Sequence, residues 1–247
     1  MEGQYLIPGA PLIHFGLETL GILLAMRYYY RQRKERSDQV SDSSRVTLLI
    51  AAALGALIGS RLLGSLEDPA RFWSGGGADG WLYYLQSKTI VGGLLGGLWT
   101  VEVAKRWLGI RSRTGDVYVY PLLLAMMIGR LGCLSMGVGE PTYGLPTDSW
   151  VGIDLGDGVA RHATALYEFL FLGVLWLGLK AVDNKSRLKD GQLFALFLTA
   201  YLVWRIGIGF LQPQIPLYGL GAIQWACVLG LLWYIYDHGP GLVGKDR

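Results

Sequence analysis

The sequence predicts an all-α polytopic membrane protein, and three observations lead to this fold class. Hydrophobic residues make up 52% of the 247 residues and charged residues only 17%, whereas about a quarter of an ordinary soluble domain is charged. Apolar runs long enough to cross about 30 Å of hydrocarbon recur along the whole chain. Lysine and arginine gather in alternate loops between those runs, as they do in membrane proteins. We therefore expect a single transmembrane domain over residues 1–247.

About seven apolar runs are long enough to form transmembrane helices. In chain order they cover residues 12–30, 46–66, 88–104, 117–136, 163–182, 192–211 and 219–237. The second and third runs carry glycines at a four-residue spacing, in the pairs Gly55/Gly59, Gly92/Gly96 and Gly93/Gly97. Because this spacing lets two helix backbones approach closely, we expect tight packing there. The sixth run is interrupted by Arg205.

The charge distribution predicts the orientation of the chain. With these spans, most Lys and Arg residues fall in loops on one side, and only Arg71, Lys88 and Arg161 fall in loops on the other. Because basic loops stay in the cytoplasm, we expect the N-terminus outside and the C-terminus inside. Residues 137–160 contain no Lys or Arg and form a predicted external polar segment. The net charge of +3 then reflects orientation and does not indicate nucleic-acid binding.

The absence of several motifs from the sequence excludes other classes of protein. The first ten residues have no basic n-region and no small-residue cleavage site, so we expect the first span to be retained. Cys133 and Cys227 are far apart, and the three histidines lack the spacing of a zinc motif. The sequence therefore predicts no disulfide framework and no metal site. It also lacks glycine-rich nucleotide loops, and no cofactor is expected.

Two arginines fall inside predicted spans, where a charge is rarely present without a function. An arginine at membrane depth costs at least about 2.5–3.5 kcal/mol, yet Arg130 and Arg205 each lie within an apolar run. Two such cations indicate a shared anionic ligand, and the commonest anion in a bilayer is a lipid phosphate. Arginine binds phosphate through two parallel hydrogen bonds. The structural alternative for Arg130 is an ion pair with Glu18 or Glu168.

Further ionisable residues are predicted to gather near the outer membrane boundary. They are His14 and Glu18, one helical turn apart, then Lys88, and finally the group His162, Tyr167 and Glu168. Each of these residues has a simpler structural interpretation as well as a role in substrate binding or catalysis. His162 could cap the fifth helix, Glu168 could pair with an arginine, and Lys88 could be an exposed boundary residue. Cys133 shares a helix face with Arg130 and is expected to be a small buried residue.

Several short motifs resemble those of the prolipoprotein diacylglyceryl transferase family. They are VGGLLGG (91–97), GRLGC (129–133), YGLPT (143–147), RHATALYE (161–168) and AYLVWRIGIGF (200–210). The resemblance implies a multi-pass enzyme of the bacterial cytoplasmic (inner) membrane. Such enzymes move the diacylglyceryl group of phosphatidylglycerol to the lipobox cysteine of a prolipoprotein and release glycerol phosphate. The implied partners are a phosphatidylglycerol-like phospholipid, a prolipoprotein signal peptide and the membrane.

The resemblance also implies roles for the two arginines and for residues around them. Arg130 and Arg205 match arginines of the family and would hold the lipid phosphate, with Tyr201 one turn before Arg205. Gly92 and Gly93 match the two glycines of the family's His-Gly-Gly motif. The histidine of that motif is Val91 in this chain, and the asparagine of the family's GRxGN motif is Cys133.

The resemblance leaves the catalytic base open between two residues. His162, Tyr167 and Glu168 match the family's HPxxLYE block, and either His162 or Glu168 is our candidate for the group that takes the acceptor's proton. His14, Glu18 and Lys88 are added as substrate-binding candidates because of their predicted position near the outer boundary.

Two other functions remain open from the sequence. One is a lipid-modifying transferase of the same fold that uses a non-protein acceptor, such as a sugar, an amine or a second lipid. The presence of Val91 in place of the family's histidine favours it. The other is a non-catalytic lipid-binding or transport protein. Transport predicts a polar path to the cytoplasmic side, whereas the buried polar groups, apart from Arg61, are predicted near the outer end.

Overall fold

The computed structural model describes residues 5–35, 41–74, 78–185 and 188–242, and within them the chain is mostly helical. The α-helices are α1 (Ala10–Glu35), α2 (Asp42–Ser65), α3 (Pro69–Ser74), α4 (Ala78–Gln86), α5 (Ile90–Leu108), α6 (Val119–Met136), α7 (Thr164–Lys185), α8 (Gln192–Gly209) and α9 (Ala222–Leu242). Short 3-10 helices at Gly115–Tyr118 and Gly137–Gly139 flank α6. Two short strands, β1 (Gly152–Asp154) and β2 (Ala160–His162), form an antiparallel hairpin.

The predicted class of an all-α polytopic membrane protein is confirmed. Each of the seven apolar runs overlaps most of its length with a helix, namely α1, α2, α5, α6, α7, α8 or α9. In the described part of the chain, five helical segments are long and apolar enough to cross a membrane: Ala10–Lys34, Asp42–Ser65, Gly115–Gly139, Thr164–Lys185 and Gln192–Gly209. Ala222–Tyr236 in α9 is apolar but shorter, and α5 carries Glu102, Lys105 and Arg106 near its end. The number seven and the orientation of the termini stay predictions.

Several helices extend beyond the apolar runs that predicted them. Arg45, which we expected in a loop, lies in the first turn of α2 and is only 5% exposed. Lys105, also expected in a loop, lies in α5 and forms an ion pair of 2.9 Å with Glu102. The helices α3 and α4 between the second and third runs were not predicted. Some of the expected cytoplasmic charges, Arg36, Arg187, Lys245 and Arg247, lie outside the described residues.

By its internal contacts the chain divides into two compact units, the first of which is built around α6. This unit comprises Met1–Asp38, Arg113–Ala200 and Phe210–Pro213. Helix α6 packs against α1 and α7, and the Tyr29 ring of α1 stacks on Tyr118 with ring centroids 5.1 Å apart. Asp116 accepts hydrogen bonds of 2.7 and 2.8 Å from the backbone nitrogens of Gly191 and Phe194. These bonds fix the start of α8 against the start of α6.

The second unit is built on the close crossing of α2 and α5. It comprises Gln39–Ser112, Tyr201–Gly209 and Gln214–Arg247, and α9 packs on both α2 and α5. A Cβ atom on Gly59 would collide with the Gly92 carbonyl, and one on Gly96 would collide with the Gly55 carbonyl. Thr100 of α5 reinforces the crossing by donating a 2.7 Å hydrogen bond to the carbonyl of Ala51. The predicted tight packing of the glycine-rich helices is therefore confirmed.

The outward faces of the long helices are apolar, as a lipid environment requires. In α1 the side chains of Leu12 and Leu23 are 76% and 59% exposed, and in α7 those of Val174 and Leu177 are 70% and 69% exposed. A soluble monomer rarely exposes such continuous apolar surface. Lipid tails in contact with these faces account for the high hydrophobic content of the chain.

Candidate active site

A buried ion pair joins α6 to α7 in the first unit. Arg130 lies two turns before the end of α6 and is 4% exposed, and Glu168 lies in the second turn of α7 and is 1% exposed. Arg130 Nη2 and Glu168 Oε2 are 2.9 Å apart. The other guanidinium nitrogen, Nη1, lies 3.4 Å from Thr142 Oγ1 and 3.6 Å from Cys133 Sγ. Of the two carboxylates considered as partners from the sequence, the structure therefore pairs Arg130 with Glu168.

The segment after α6 is held beside Arg130 by backbone contacts. Gly137, with a φ of 55°, turns the chain out of α6 at a position where a Cβ atom would collide with the Leu155 carbonyl. The Thr142 carbonyl accepts hydrogen bonds from Thr164 Oγ1 (2.6 Å) and Gln212 Nε2 (3.0 Å). These two bonds hold Thr142, and hence its hydroxyl, next to Arg130.

The YGLPT and RHATALYE motifs pack against each other. Gly144 lies so close to the carbonyl of His162 that a Cβ atom would not fit. The His162 nitrogen donates to the Leu145 carbonyl (3.0 Å), and the Thr147 nitrogen donates to the Ala160 carbonyl (2.9 Å). The first motif therefore runs alongside β2, which leads directly into α7 and Glu168. The predicted external polar segment thus contains a hairpin that connects the two motifs.

An ion pair at the hairpin completes this connection. Arg161 Nη2 lies 2.7 Å from Asp157 Oδ2, and the Arg161 guanidinium carbon lies 5.2 Å from the centre of the Tyr143 ring. The hydrogen bond from Arg161 lowers the pKa of the Asp157 carboxyl below its usual value. Asp154 accepts three hydrogen bonds from the backbone nitrogens of Gly156, Asp157 and Gly158. These contacts define the turn between β1 and β2.

Three ionisable or polarisable side chains cluster around His14, near the start of α1. His14 is 7% exposed, and its Nε2 lies 3.2 Å from Glu18 Oε1 and 3.9 Å from Cys133 Sγ. The other ring nitrogen, Nδ1, lies 3.9 Å from Glu140 Oε2. His14, Cys133 and Glu140 each place a potential metal-ligand atom within 4.8 Å of the others. Sequence spacing does not reveal this cluster, because Cys133 is 119 positions from His14.

His162 and Tyr167 form a separate contact beside the ion pair. His162 Nδ1 lies 3.3 Å from the Tyr167 hydroxyl, and the two rings meet edge to face with centroids 6.0 Å apart. His162 is the last residue of β2, two positions before the first residue of α7.

A small recess lies next to these groups in the first unit. Its lining includes Cys133, Glu140, Thr142, Tyr143 and Thr164. Two of these residues, Cys133 and Thr142, also contact Arg130. The recess therefore adjoins both the ion pair and the His14 cluster.

The remaining predicted site residues lie in the second unit. Tyr201 and Arg205 are on α8 and are 0% and 2% exposed. Gln224 of α9 donates a 2.8 Å hydrogen bond to the carbonyl of Ile206, which fixes the turn of α8 that carries Arg205. Burial raises the pKa of Glu67 to about 7, and the positive charge of Arg205 opposes that rise.

Two glycines and a lysine of the second unit were also predicted to bind substrate. Gly92 packs against Gly59 of α2, and its nitrogen donates to the Thr89 hydroxyl at the start of α5. The nearest atom to a Cβ on Gly93 would be 3.7 Å away. Lys88 is exposed in the connection between α4 and α5. A substrate contact by Gly92, Gly93 or Lys88 stays a prediction.

Glu140 and Thr142 belong to the site but were not identified from the sequence. Both line the recess, Glu140 approaches His14, and Thr142 approaches Arg130. They lie in an irregular segment, where no helical or strand periodicity relates them to other residues. The sequence feature that could have identified them is their position between the GRLGC and YGLPT motifs.

The apolar helices and the buried Arg130–Glu168 pair define an integral membrane protein with a charged site enclosed among its helices. Residues 7–237 match the sequence profile of the prolipoprotein diacylglyceryl transferase family. The chain belongs to this family, whose members are transferases. Membership does not favour the non-catalytic or non-protein-acceptor alternatives.

Several individual proteins are similar over most of the chain. A phosphatidylglycerol–prolipoprotein diacylglyceryl transferase of Dehalococcoides mccartyi is 30% identical over 231 residues, covering 87% of this chain and 82% of the relative. A protein of the same name from Zymomonas mobilis is 30% identical over 243 residues, covering 89% of this chain and 78% of the relative. One from Frankia alni is 36% identical over 157 residues, or 60% of this chain and 38% of the relative.

Proposed function

We propose that this protein transfers the diacylglyceryl group of phosphatidylglycerol to the lipobox cysteine thiol of a prolipoprotein and releases glycerol phosphate. The observation that carries the proposal is the position of Arg130, which is buried among apolar helices and adjoins the recess through Cys133 and Thr142. Membership of the transferase family and the names of the relatives support the same reaction.

The proposed reaction is a substitution at a glycerol carbon. The acceptor sulfur forms a bond to the diacylglyceryl carbon that bears the phosphate ester, and the carbon–oxygen bond of that ester breaks. Negative charge develops on the departing glycerol phosphate, so a cation placed against its oxygens lowers the barrier. The thiolate is the reactive form of the acceptor, so its proton must be removed before or during attack.

We propose that Arg130 binds the phosphate with the guanidinium edge that carries Nη1. Nη2 is engaged by Glu168 at 2.9 Å, whereas the contacts of Nη1 with Thr142 and Cys133 are longer, at 3.4 and 3.6 Å. A phosphate oxygen is a stronger acceptor for a guanidinium than a hydroxyl or a thiol. In this arrangement Glu168 positions Arg130, so its carboxylate is a poor candidate for the base. Of the two residues that the sequence offered as the catalytic base, His162 is therefore the remaining candidate.

We propose a separate substrate contact in the second unit, made by Arg205 and Tyr201. Both side chains are buried on α8 one turn apart, and Arg205 keeps its charge at any physiological pH. A charge held in this way is suited to an anionic lipid. Replacement of Arg205 by lysine tests this assignment independently of Arg130.

We further propose that the protein crosses the bacterial cytoplasmic (inner) membrane seven times, with its N-terminus outside. The support is the coincidence of the seven apolar runs with helices and the bias of Lys and Arg to alternate loops. This orientation places residues 137–160 on the outer side. Cysteine labelling with a membrane-impermeant reagent, at positions introduced in the hairpin and in the loop after α5, tests the orientation.

The acceptor is tested with a lipobox peptide and labelled phosphatidylglycerol in proteoliposomes, followed by mass spectrometry of the peptide. We expect the peptide to gain one diacylglyceryl group on its cysteine, and a peptide with serine in that position to gain none. Transfer to the serine peptide, or to a sugar or lipid acceptor in preference to the thiol, would overturn the proposal.

A further inference from the structure

We propose that His14, Cys133 and Glu140 form a binding site for a divalent transition-metal ion, with zinc as the best fit. The three residues supply a ring nitrogen, a thiol sulfur and a carboxylate oxygen, all within 4.8 Å of one another. They come from the first turns of α1, the end of α6 and the segment after α6. Zinc binds these three ligand types.

The ligand atoms lie within 4.8 Å of one another, which is farther apart than around a bound ion. Around a tetrahedral zinc ion with bonds of about 2.0–2.3 Å, ligand atoms lie roughly 3.3–3.8 Å apart. In the structure Cys133 Sγ is 3.9 Å from His14 Nε2, and Glu140 Oε2 is 3.9 Å from His14 Nδ1. Because Cys133 and Glu140 face different nitrogens of the His14 ring, side-chain rotation is needed to bring one ring nitrogen, the sulfur and the carboxylate oxygen onto one ion.

The charge of the ligand set also suits a divalent ion at a buried position. A Cys133 thiolate and a Glu140 carboxylate carry two negative charges, and a neutral His14 adds none. The complex with a doubly charged ion is therefore neutral, which removes the large penalty for placing an isolated charge in an apolar region. The soft sulfur and the imidazole select zinc or cobalt over magnesium and calcium, which prefer oxygen ligands.

Glu18 supplies the supporting contact that metal-binding histidines generally have. Its Oε1 lies 3.2 Å from His14 Nε2. If Nδ1, the nitrogen nearer Glu140, faces the ion, Nε2 keeps its proton and donates a hydrogen bond to Glu18. A carboxylate in this position fixes the ring orientation and makes the histidine a better ligand.

The site would have an open fourth position beside the recess. Cys133 and Glu140 line that recess, and three protein ligands with one open position are typical of catalytic rather than structural zinc. The role of this position rests on the proposed function: the acceptor thiol binds the ion there and loses its proton. A coordinated thiol is deprotonated outright, so the metal supplies a thiolate next to Arg130.

The chemical step balances without any further reactant. Once the acceptor thiol is bound to the ion, its proton passes to solvent, so that His162 is not needed as the base, and the metal-bound sulfur attacks the diacylglyceryl carbon. The new carbon–sulfur bond replaces the carbon–oxygen bond, and the electron pair of the latter leaves with glycerol phosphate. The neutral thioether product is a weaker ligand than the thiolate, so it dissociates from the ion.

Metal content of the full-length protein tests the site directly. Protein purified in detergent is loaded with zinc, desalted and analysed by elemental mass spectrometry. We expect about one equivalent per chain in the wild type and a loss of roughly tenfold or more in affinity for Cys133→Ser and His14→Gln. The matched controls, Cys227→Ser and His162→Gln, change the same residue types outside the cluster and are expected to retain the metal.

Cobalt loading of the wild type gives a test that does not depend on the folding of variants. We expect the cobalt-loaded wild type to show a thiolate-to-cobalt charge-transfer absorption. The control Cys227→Ser should show the same absorption. A wild type that binds no metal, or binds it without this absorption, overturns the proposed site. Equal metal content in Cys133→Ser and the wild type would also overturn the proposed site.

The thiol-activating role is tested by transfer to the lipobox peptide before and after chelation. Transfer that is lost with the metal and restored by zinc supports the role. Transfer that continues after complete metal removal overturns the role while leaving the proposed function intact. Bound zinc in a protein that never modifies the peptide supports the metal site and counts instead against the proposed acceptor.

Discussion

The Arg130–Glu168 ion pair allows structural and catalytic contributions to be separated by mutation. Both side chains are almost fully buried and are 2.9 Å apart. Replacing Arg130 with methionine leaves a buried carboxylate without this partner, and replacing Glu168 with leucine leaves a buried guanidinium without it. Replacing both removes the two charges together. The three variants should therefore differ in stability, and only the two that lack Arg130 also lose the phosphate-binding group.

Breaking a buried ion pair by removing one partner typically costs about 3–5 kcal/mol, because the other charge remains desolvated. We expect each single variant to lose stability on that scale, which would appear as a lower unfolding temperature in detergent. The double variant should regain most of the loss, since apolar residues of similar volume can replace a buried pair at little cost. Transfer to the lipobox peptide should be abolished in both variants that lack Arg130.

An exposed arginine on α1, Arg27, provides the matched control. Arg27→Met should leave both stability and transfer close to those of the wild type. Recovery of transfer along with stability in the double variant would show that Arg130 acts only as a structural partner and does not bind the phosphate. Single variants as stable as the wild type would contradict the assignment of a buried, energetically coupled pair.

Three further predictions concern other parts of the molecule. Gly96→Ala should destabilise the crossing of α2 and α5 by about 1–3 kcal/mol, because the new Cβ would collide with the Gly55 backbone. Gly93→Ala should be tolerated, because the nearest atom to a Cβ there is 3.7 Å away. Thermal unfolding of the two variants tests this difference. Glu67 has a pKa raised to about 7 by burial, so wild-type stability should fall as the pH rises from about 4.5 through 7. Glu67→Gln should remove that fall and be more stable by about 1–3 kcal/mol above pH 7, with equal stability at pH 4 as the check. Asp154→Ala removes the acceptor of three backbone hydrogen bonds of 2.8–3.1 Å, so limited proteolysis should cut the hairpin faster than in the wild type.

The helical framework could be predicted because it depends on long-range averages of hydrophobicity. Seven runs of apolar residues each correspond to a helix, and the glycine spacing at Gly55/Gly59 and Gly92/Gly96 predicted close helix packing, which occurs at the crossing of α2 and α5. The ends of the helices were less predictable. Buried Arg45 and Lys105 extend α2 and α5 beyond their apolar runs, since a helix can continue wherever a charged side chain finds a partner.

The short elements could not be predicted for a different reason. Helices α3 and α4 have six and nine residues, too few for a clear apolar run. The β1–β2 hairpin has three residues in each strand, and its stability comes from the Asp154 turn and the contact with the YGLPT segment. Such contacts join residues through the tertiary fold and leave no periodic pattern in the sequence.

The candidate site was predicted in its residue types but not in its pairings. Arg130, Cys133, His14, Glu18 and Glu168 were all singled out, and they lie together in the first unit. Sequence spacing could not choose between Glu18 and Glu168 as the partner of Arg130, because both lie on other helices. Glu140 was missed, although it completes the cluster around His14, because an irregular segment gives no indication of which way its side chains point.

The proposed role of Arg130 is to bind the phosphate that leaves when the diacylglyceryl group is transferred to a thiol. The most direct measurement is the single-turnover rate of transfer from labelled phosphatidylglycerol to a lipobox peptide, for the wild type, Arg130→Lys and Arg27→Lys. We expect transfer in the wild type and in Arg27→Lys, and a rate lower by roughly 10²–10³ in Arg130→Lys, as for loss of one preorganised donor to a developing charge. A rate in Arg130→Lys equal to that of the wild type would contradict this role.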